Sequence, residues 1–211
     1  MDSILYSEGG QRQISPQNWH SEIVAGGYRA IIFDCDGTLV DSSEAHFQSL
    51  RTAARAQGFD LEREWYDQRN GLDRLSLLSA LSAEISGALD IDLATQQSID
   101  AFIGAAAGVS QITETARLVR SLGPTHPMAV GTNAEIDVAT ASLQAVDLLG
   151  SFATIVSISD NVRPKPAPDI YALAIQRLGF PAAKTLIFED SAEGVAAAIA
   201  AGSNVVQIVH G

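Results

Sequence analysis

Short apolar runs that end in polar, chemically capable residues constrain this chain most. Ala30-Ile31-Ile32-Phe33 ends in Asp34, residues 127–130 lead into Gly131-Thr132-Asn133, and residues 185–188 end in Glu189-Asp190. Runs of this length, bounded by turn residues, fit strands buried on both faces. Further strands are expected at 152–158 and 204–209. Helix patterns separate them. One runs from about Asp41 or Ser42 to Gly58, where Asp41 and Glu44 resemble a capping box. Others cover 115–122, Asn133 to about Val146, 168–178 behind its starting proline, and 192–201 up to Gly202. Strands alternating with helices imply right-handed crossovers and a parallel sheet.

The stretch from residue 58 to about 108 breaks this rhythm. It is helical and strand-poor, with apolar faces at Leu75, Leu78 and Leu81 and at Leu77, Leu81 and Ile85. The expected division is a polar lead-in over 1–28, holding a short helix near 16–23, and an α/β core over 29–45 and 113–211. A small all-helical insert fills 46–112. The 211 residues are enough for one core with such an insert.

Twenty-five acidic against 13 basic side chains give a formal charge of −12. No Lys/Arg stripe exists to displace phosphate counterions, which argues against a nucleic-acid partner. No stretch approaches the apolar length of a membrane span, and no signal-peptide pattern opens the chain. Cys35 is the one cysteine, so no intrachain disulfide can form. A cytoplasmic protein is expected, as a monomer or weak homodimer. Cys35 lies between Asp34 and Asp36 and points away from both, which makes it a core filler.

In open α/β sheets the ligand crevice lies outside the carboxyl ends of the strands. Asp34, Asp36, Thr132, Asn133, Glu189 and Asp190 are therefore expected to meet. Four converging carboxylates repel unless a cation holds them, and hard oxygen ligands favour Mg²⁺ or Ca²⁺. A lone Asp-x-Asp-Gly reads as a turn; a second acidic pair at another strand end argues against that. Arg163-Pro164-Lys165-Pro166 is a stiff loop that aims one of the chain's two lysines. Thr132 and Asn133 read either as an N-cap or as an anion cradle at a helix start. Asp34 is placed to attack phosphorus while Asp36 handles a proton.

These residues resemble the haloacid dehalogenase superfamily of phosphotransferases. The motifs are Phe33-Asp34-Cys35-Asp36-Gly37-Thr38-Leu39-Val40-Asp41-Ser42, Val130-Gly131-Thr132-Asn133, Lys165-Pro166-Ala167-Pro168-Asp169 and Phe188-Glu189-Asp190-Ser191. They occur in the family's order, and the resemblance spans residues 30–209. It is nearest to the β-phosphoglucomutase-like and sugar-phosphatase branch, in particular to bacterial fructose-1-phosphate/6-phosphogluconate phosphatases. It implies a Rossmann-like parallel sheet flanked by helices, with the 46–112 insert as a cap. Asp34 is then the nucleophile and Asp36 the acid and base. Asp34, the Asp36 carbonyl, Glu189 and Asp190 surround Mg²⁺, and Thr132, Asn133 and Lys165 hold the phosphoryl oxygens. His46 matches a histidine at the hinge of the cap. Gly71-Leu72-Asp73-Arg74 partly matches a mutase motif, with Asp73 replacing its serine. Arg74 remains a candidate for a distal phosphate or carboxylate.

The expected activity is Mg²⁺-dependent hydrolysis of small phosphorylated metabolites, foremost sugar phosphates. The alternatives are a phosphosugar mutase and a degenerate, non-catalytic member.

Overall fold

A computed structural model describes residues 1–69, 72–85, 89–123 and 125–210. Its central sheet has the order β2-β1-β9-β8-β3-β6-β7. The parallel part comprises β3 (Ala30–Phe33), β6 (Met128–Gly131), β7 (Thr154–Val156), β8 (Thr185–Glu189) and β9 (Asn204–Val209). Side chains alternate across this sheet. Ile31, Phe33, Met128, Val130, Leu186 and Phe188 feed one apolar cluster, while Ile32, Ala129, Ile187 and Val205 feed the other. Helices α6 (Thr113–Leu122) and α7 (Ile136–Ala145) cover the first face; α8 (Asp169–Leu178) and α9 (Ala192–Ala200) cover the second. Burial on both faces explains why these strands read as unbroken apolar runs rather than alternating ones.

The first 28 residues are more than a lead-in. β1 (Asp2–Ser7) pairs antiparallel with β9, and β2 (Gly10–Ile14) closes a hairpin on β1. Helix α1 (Trp19–Gly26) follows, a few residues later than the expected helix near 16–23. It lays Trp19 against Phe188 (ring centroids 5.2 Å apart), with the indole N–H donating to Ser3 Oγ at 2.9 Å. The hairpin escapes a hydrophobicity reading because β2 is polar and exposed, and β1 buries only Ser3 and Leu5.

Between β4 (Val40–Asp41) and β5 (Ser110–Gln111) lie α2 (Ser43–Ala56), α3 (Arg63–Asp67), α4 (Arg74–Glu84) and α5 (Ile91–Ala105). β4 and β5 pair antiparallel, so the chain leaves the core and returns at one place. Phe47, Leu50, Tyr66, Leu77, Leu78 and Leu81 form the insert's own apolar cluster. Leu75, expected on that face, is exposed. The α5 residue Phe102 packs instead into the core cluster.

The expected capping box at Asp41 does not form. Ser42 is the N-cap of α2, and its hydroxyl makes no cap bond. That hydroxyl donates to Asp36 instead, while Glu44 pairs with Gln48 and Arg63. The cap group has been diverted to the crevice.

Candidate active site

Three strand ends build the floor of a crevice. Phe33 is level with Phe188 on β8 and Val130 on β6, so Asp34 follows beside Glu189 and Gly131, with Thr132 one residue further on. The Asp34 amide donates to the Phe188 carbonyl at 2.9 Å, which fixes where its carboxylate begins.

Lys165 stands among them. Its Nζ donates to Asp34 Oδ1 at 2.5 Å and to Glu189 Oε1 at 2.7 Å, with the Tyr171 ring centroid 4.7 Å away. Glu189 is fully engaged: Oε1 also accepts the Tyr171 hydroxyl (3.1 Å), and Oε2 accepts the Ser191 amide (2.7 Å) and hydroxyl (2.9 Å). Asn133 clamps the lysine's backbone, accepting the Lys165 amide at 2.8 Å and donating to its carbonyl at 3.4 Å. Thr132 is buried, and its hydroxyl accepts the Ala134 amide at 3.0 Å. Thr38 donates to Asp190 Oδ1 at 3.2 Å.

Asp34, Glu189 and Asp190 each offer an oxygen within 4.8 Å of the others. Two glycines permit this crowding. A Cβ at Gly37, where φ is +81°, would lie 2.1 Å from Asp190 Oδ2; one at Gly194 would lie 1.7 Å from Glu189 Oε1. Burial raises the Asp34 pKa well above the ordinary carboxyl range, with Lys165 opposing and Glu189 and Asp190 adding to the rise. Burial and then Glu189 push Asp190 up to about 6. Burial alone would lower the Lys165 ammonium, but Asp34 and Glu189 outweigh it and the net shift is upward.

Three carboxyl groups face one ammonium on this floor, so ionising all three would leave two negative charges uncompensated. A hard divalent cation has the matching charge and the matching preference for oxygen. The donor set therefore fits Mg²⁺.

The Asp36 side chain is held apart from this trio. Its Oδ1 accepts the Ser42 hydroxyl at 2.5 Å and lies 3.1 Å from His46 Nε2. Burial works to raise its pKa, yet the charge and hydrogen bond of His46, with the Ser42 bond, bring it below the usual value. His46 stacks on Phe102 with ring centroids 4.4 Å apart, so α2 and α5 together aim it. Cys35 is fully buried in the core.

A cavity of about 380 Å³ opens above the floor. Its far wall comes from the insert and includes His46, Leu50, Tyr66, Asp73 and Arg74. Gly71 lies outside the described residues. The buried Arg74 donates from Nε to both carboxylate oxygens of Glu135, each at 3.1 Å. Tyr171 and Glu135 carry no motif signal in the sequence. Thr38 and Ser191 lie inside the quoted motifs, without assigned roles.

A family model described as haloacid dehalogenase-like hydrolase matches residues 28–202. Fructose-1-phosphate phosphatase YqaB of Escherichia coli is 28% identical over 86% of this chain and 96% of its own length. Protein CbbY of Rhodobacter capsulatus is 33% identical over 84% of each chain. A crystal structure of CbbY from Rhodobacter sphaeroides in complex with phosphate superposes with a TM-score of 0.78 at 25% identity, covering 83% of this chain and 84% of the other. The match spans both the strand ends and the helical insert, and the chain belongs to the haloacid dehalogenase-like hydrolases.

Proposed function

We propose that the chain is a Mg²⁺-dependent phosphomonoesterase that releases phosphate from small phosphorylated sugars through an aspartyl phosphate on Asp34. The observation that carries this reading is the pairing of two differently treated aspartates. Asp34 is buried against Lys165 on a floor short of positive charge. Asp36, two residues on, is held by His46 and Ser42.

Each group has a physical task. Asp34 attacks phosphorus, the P–O bond to the sugar breaks, and the phosphoryl group passes to the Asp34 carboxylate. Splitting hydrolysis this way replaces one hard step with two easier ones. Lys165 and the buried Thr132 face the phosphoryl oxygens, and positioning with charge neutralisation supplies most of the rate. Asp34, Asp190 and the Asp36 carbonyl would hold Mg²⁺, which supplies charge neutralisation on the phosphoryl oxygens. Glu189 spends its oxygens on Lys165, Tyr171 and Ser191, so its task in this state is to aim the lysine.

Asp36 must enter the first step protonated, give that proton to the leaving alcohol, and then take one from water in the second. Without substrate, His46 keeps it ionised, the form that accepts a proton from water. An incoming phosphate dianion opposes that ionisation and favours the protonated form, which then protonates the leaving alcohol. The helices over 46–112 act as a cap that shapes the space for the sugar. The named phosphatases among the relatives support hydrolysis over intramolecular phosphoryl transfer.

The test is a panel of sugar phosphates and p-nitrophenyl phosphate with Mg²⁺, read as released phosphate. Turnover that EDTA abolishes and Mg²⁺ restores is expected. Glucose 6-phosphate as the main product from β-glucose 1-phosphate would favour a mutase. No turnover on any member would favour a non-catalytic protein.

A further inference from the structure

The insert side of the cavity holds its cation differently from the floor. Arg74, on the insert, is buried and shares its Nε–H between both carboxylate oxygens of Glu135, just ahead of α7 in the core. Asp73 and Glu193 line the same cavity. The guanidinium is thus already occupied by Glu135, with Asp73 its neighbour in sequence. Asp73 is spent locally as the N-cap of α4, accepting the Ser76 amide at 3.0 Å. Arg74 Nη1 is buried and has no hydrogen-bond partner among the described residues. Its charge is matched while Nη1 is left without a partner, which suits a neutral oxygen acceptor.

We propose that Glu135 is a specificity-determining residue. By holding Arg74 it makes the cavity accept phosphomonoesters whose remainder is uncharged and hydroxyl-bearing, and reject those carrying a second phosphate. This rests on the phosphatase reading above. A first phosphate meets Lys165 and the cation-hungry floor. A second phosphate on the insert side meets Glu135 and Asp73, with the Arg74 guanidinium already paired. Like charges placed together reject a wrong ligand more effectively than a missing contact does. Freeing Arg74 should convert the same wall into an anion subsite.

The experiment compares kcat/KM for fructose 1-phosphate and fructose 1,6-bisphosphate, with p-nitrophenyl phosphate as a reference lacking a distal group. The natural protein is expected to favour the monophosphate by about tenfold or more. Glu135→Gln keeps the shape, releases the guanidinium and should shrink that preference by about tenfold. Arg74→Gln combined with Glu135→Gln has no guanidinium to release and should shrink it less. Glu135→Asp, which keeps the charge but loosens the grip, should shift the ratio modestly in the same direction and serves if Glu135→Gln does not fold. Equal use of the two sugars by the natural protein overturns the inference. So does an unchanged ratio in Glu135 variants that still hydrolyse p-nitrophenyl phosphate. No turnover of any of the three compounds by the natural protein overturns the phosphatase reading, and this inference with it.

Discussion

Two buried cations face carboxylates in this molecule, and they are treated oppositely. Lys165 on the floor is outnumbered: Asp34 and Glu189 contact it directly, and Asp190 stands within the same cluster. Arg74 at the mouth meets one carboxylate in a one-to-one pair, its Nε–H shared between both oxygens. The floor carries an unmet demand for positive charge, and the mouth pair carries none. A region left electrostatically incomplete by the fold is where an ion and a charged substrate belong. A region completed by the fold is where further charge is unwelcome.

The largest expected effect breaks the floor's chemistry without breaking its packing. Asp34→Asn removes the attacking oxygen and should lower phosphate release by on the order of 10⁴-fold or more. Because Asp34 is hard to ionise where it sits, the neutral isostere should melt no lower than the natural protein in the absence of metal. Paired turnover and thermal-melt measurements check both halves.

Removing the floor's cation tests the imbalance itself. Lys165→Met leaves buried carboxylates unpaired and should cost about 3–5 kcal/mol of stability at neutral pH, read by denaturant unfolding. Arg163 offers the matching surface control. Its ion pair with Asp169 is solvent-exposed and should contribute only about 0–1 kcal/mol, so Arg163→Ala should unfold close to the natural protein.

Asp190 gives the imbalance a pH signature. Its carboxyl is raised to about 6 in the fold against an ordinary value of 3.8. Above pH 6 the ionised, buried group costs stability. As pH falls from 6 toward 3.8 the folded state takes up a proton that the unfolded chain does not, and the cost disappears. Metal-free protein should therefore gain stability from Asp190 on acidification through this window. Asp190→Asn should lack that gain, and stability–pH curves for the two proteins isolate it. An identical slope in both would contradict the floor's assignment.

Packing sets a smaller effect. A methyl group at Gly194 would press on Glu189, whose carboxylate aims Lys165. Gly194→Ala should cost about 1–3 kcal/mol by unfolding measurements, with a matching loss of activity.

Much of the floor is legible in the sequence because parallel strands buried on both faces read as apolar runs, and their last residues face one crevice. Asp34, Thr132, Glu189 and Asp190 are found by that rule alone. Lys165 stands out because prolines flank it. What the sequence hides is choice among partners. Ser42 reads as part of a helix cap, but its hydroxyl serves Asp36. Glu135 carries no signal in the sequence, yet a residue sixty-one positions earlier claims it. Tyr171 lies in the core, yet its hydroxyl reaches Glu189. The β1–β2 hairpin is hidden for another reason: its stability comes from backbone pairing with β9 more than from burial of apolar side chains.

The central claim is that the phosphoryl group rests on Asp34 before water removes it, and trapping it there is the most direct test. Asp36→Asn removes the base of the second step, while p-nitrophenyl phosphate has a leaving group that needs no acid for the first. Mixing the two with Mg²⁺ should give a stoichiometric burst of nitrophenolate. The peptide containing Asp34 should then carry one phosphoryl group after an acid quench, as seen by mass spectrometry. Turnover without a burst, or a phosphoryl group on any other residue, would contradict the account.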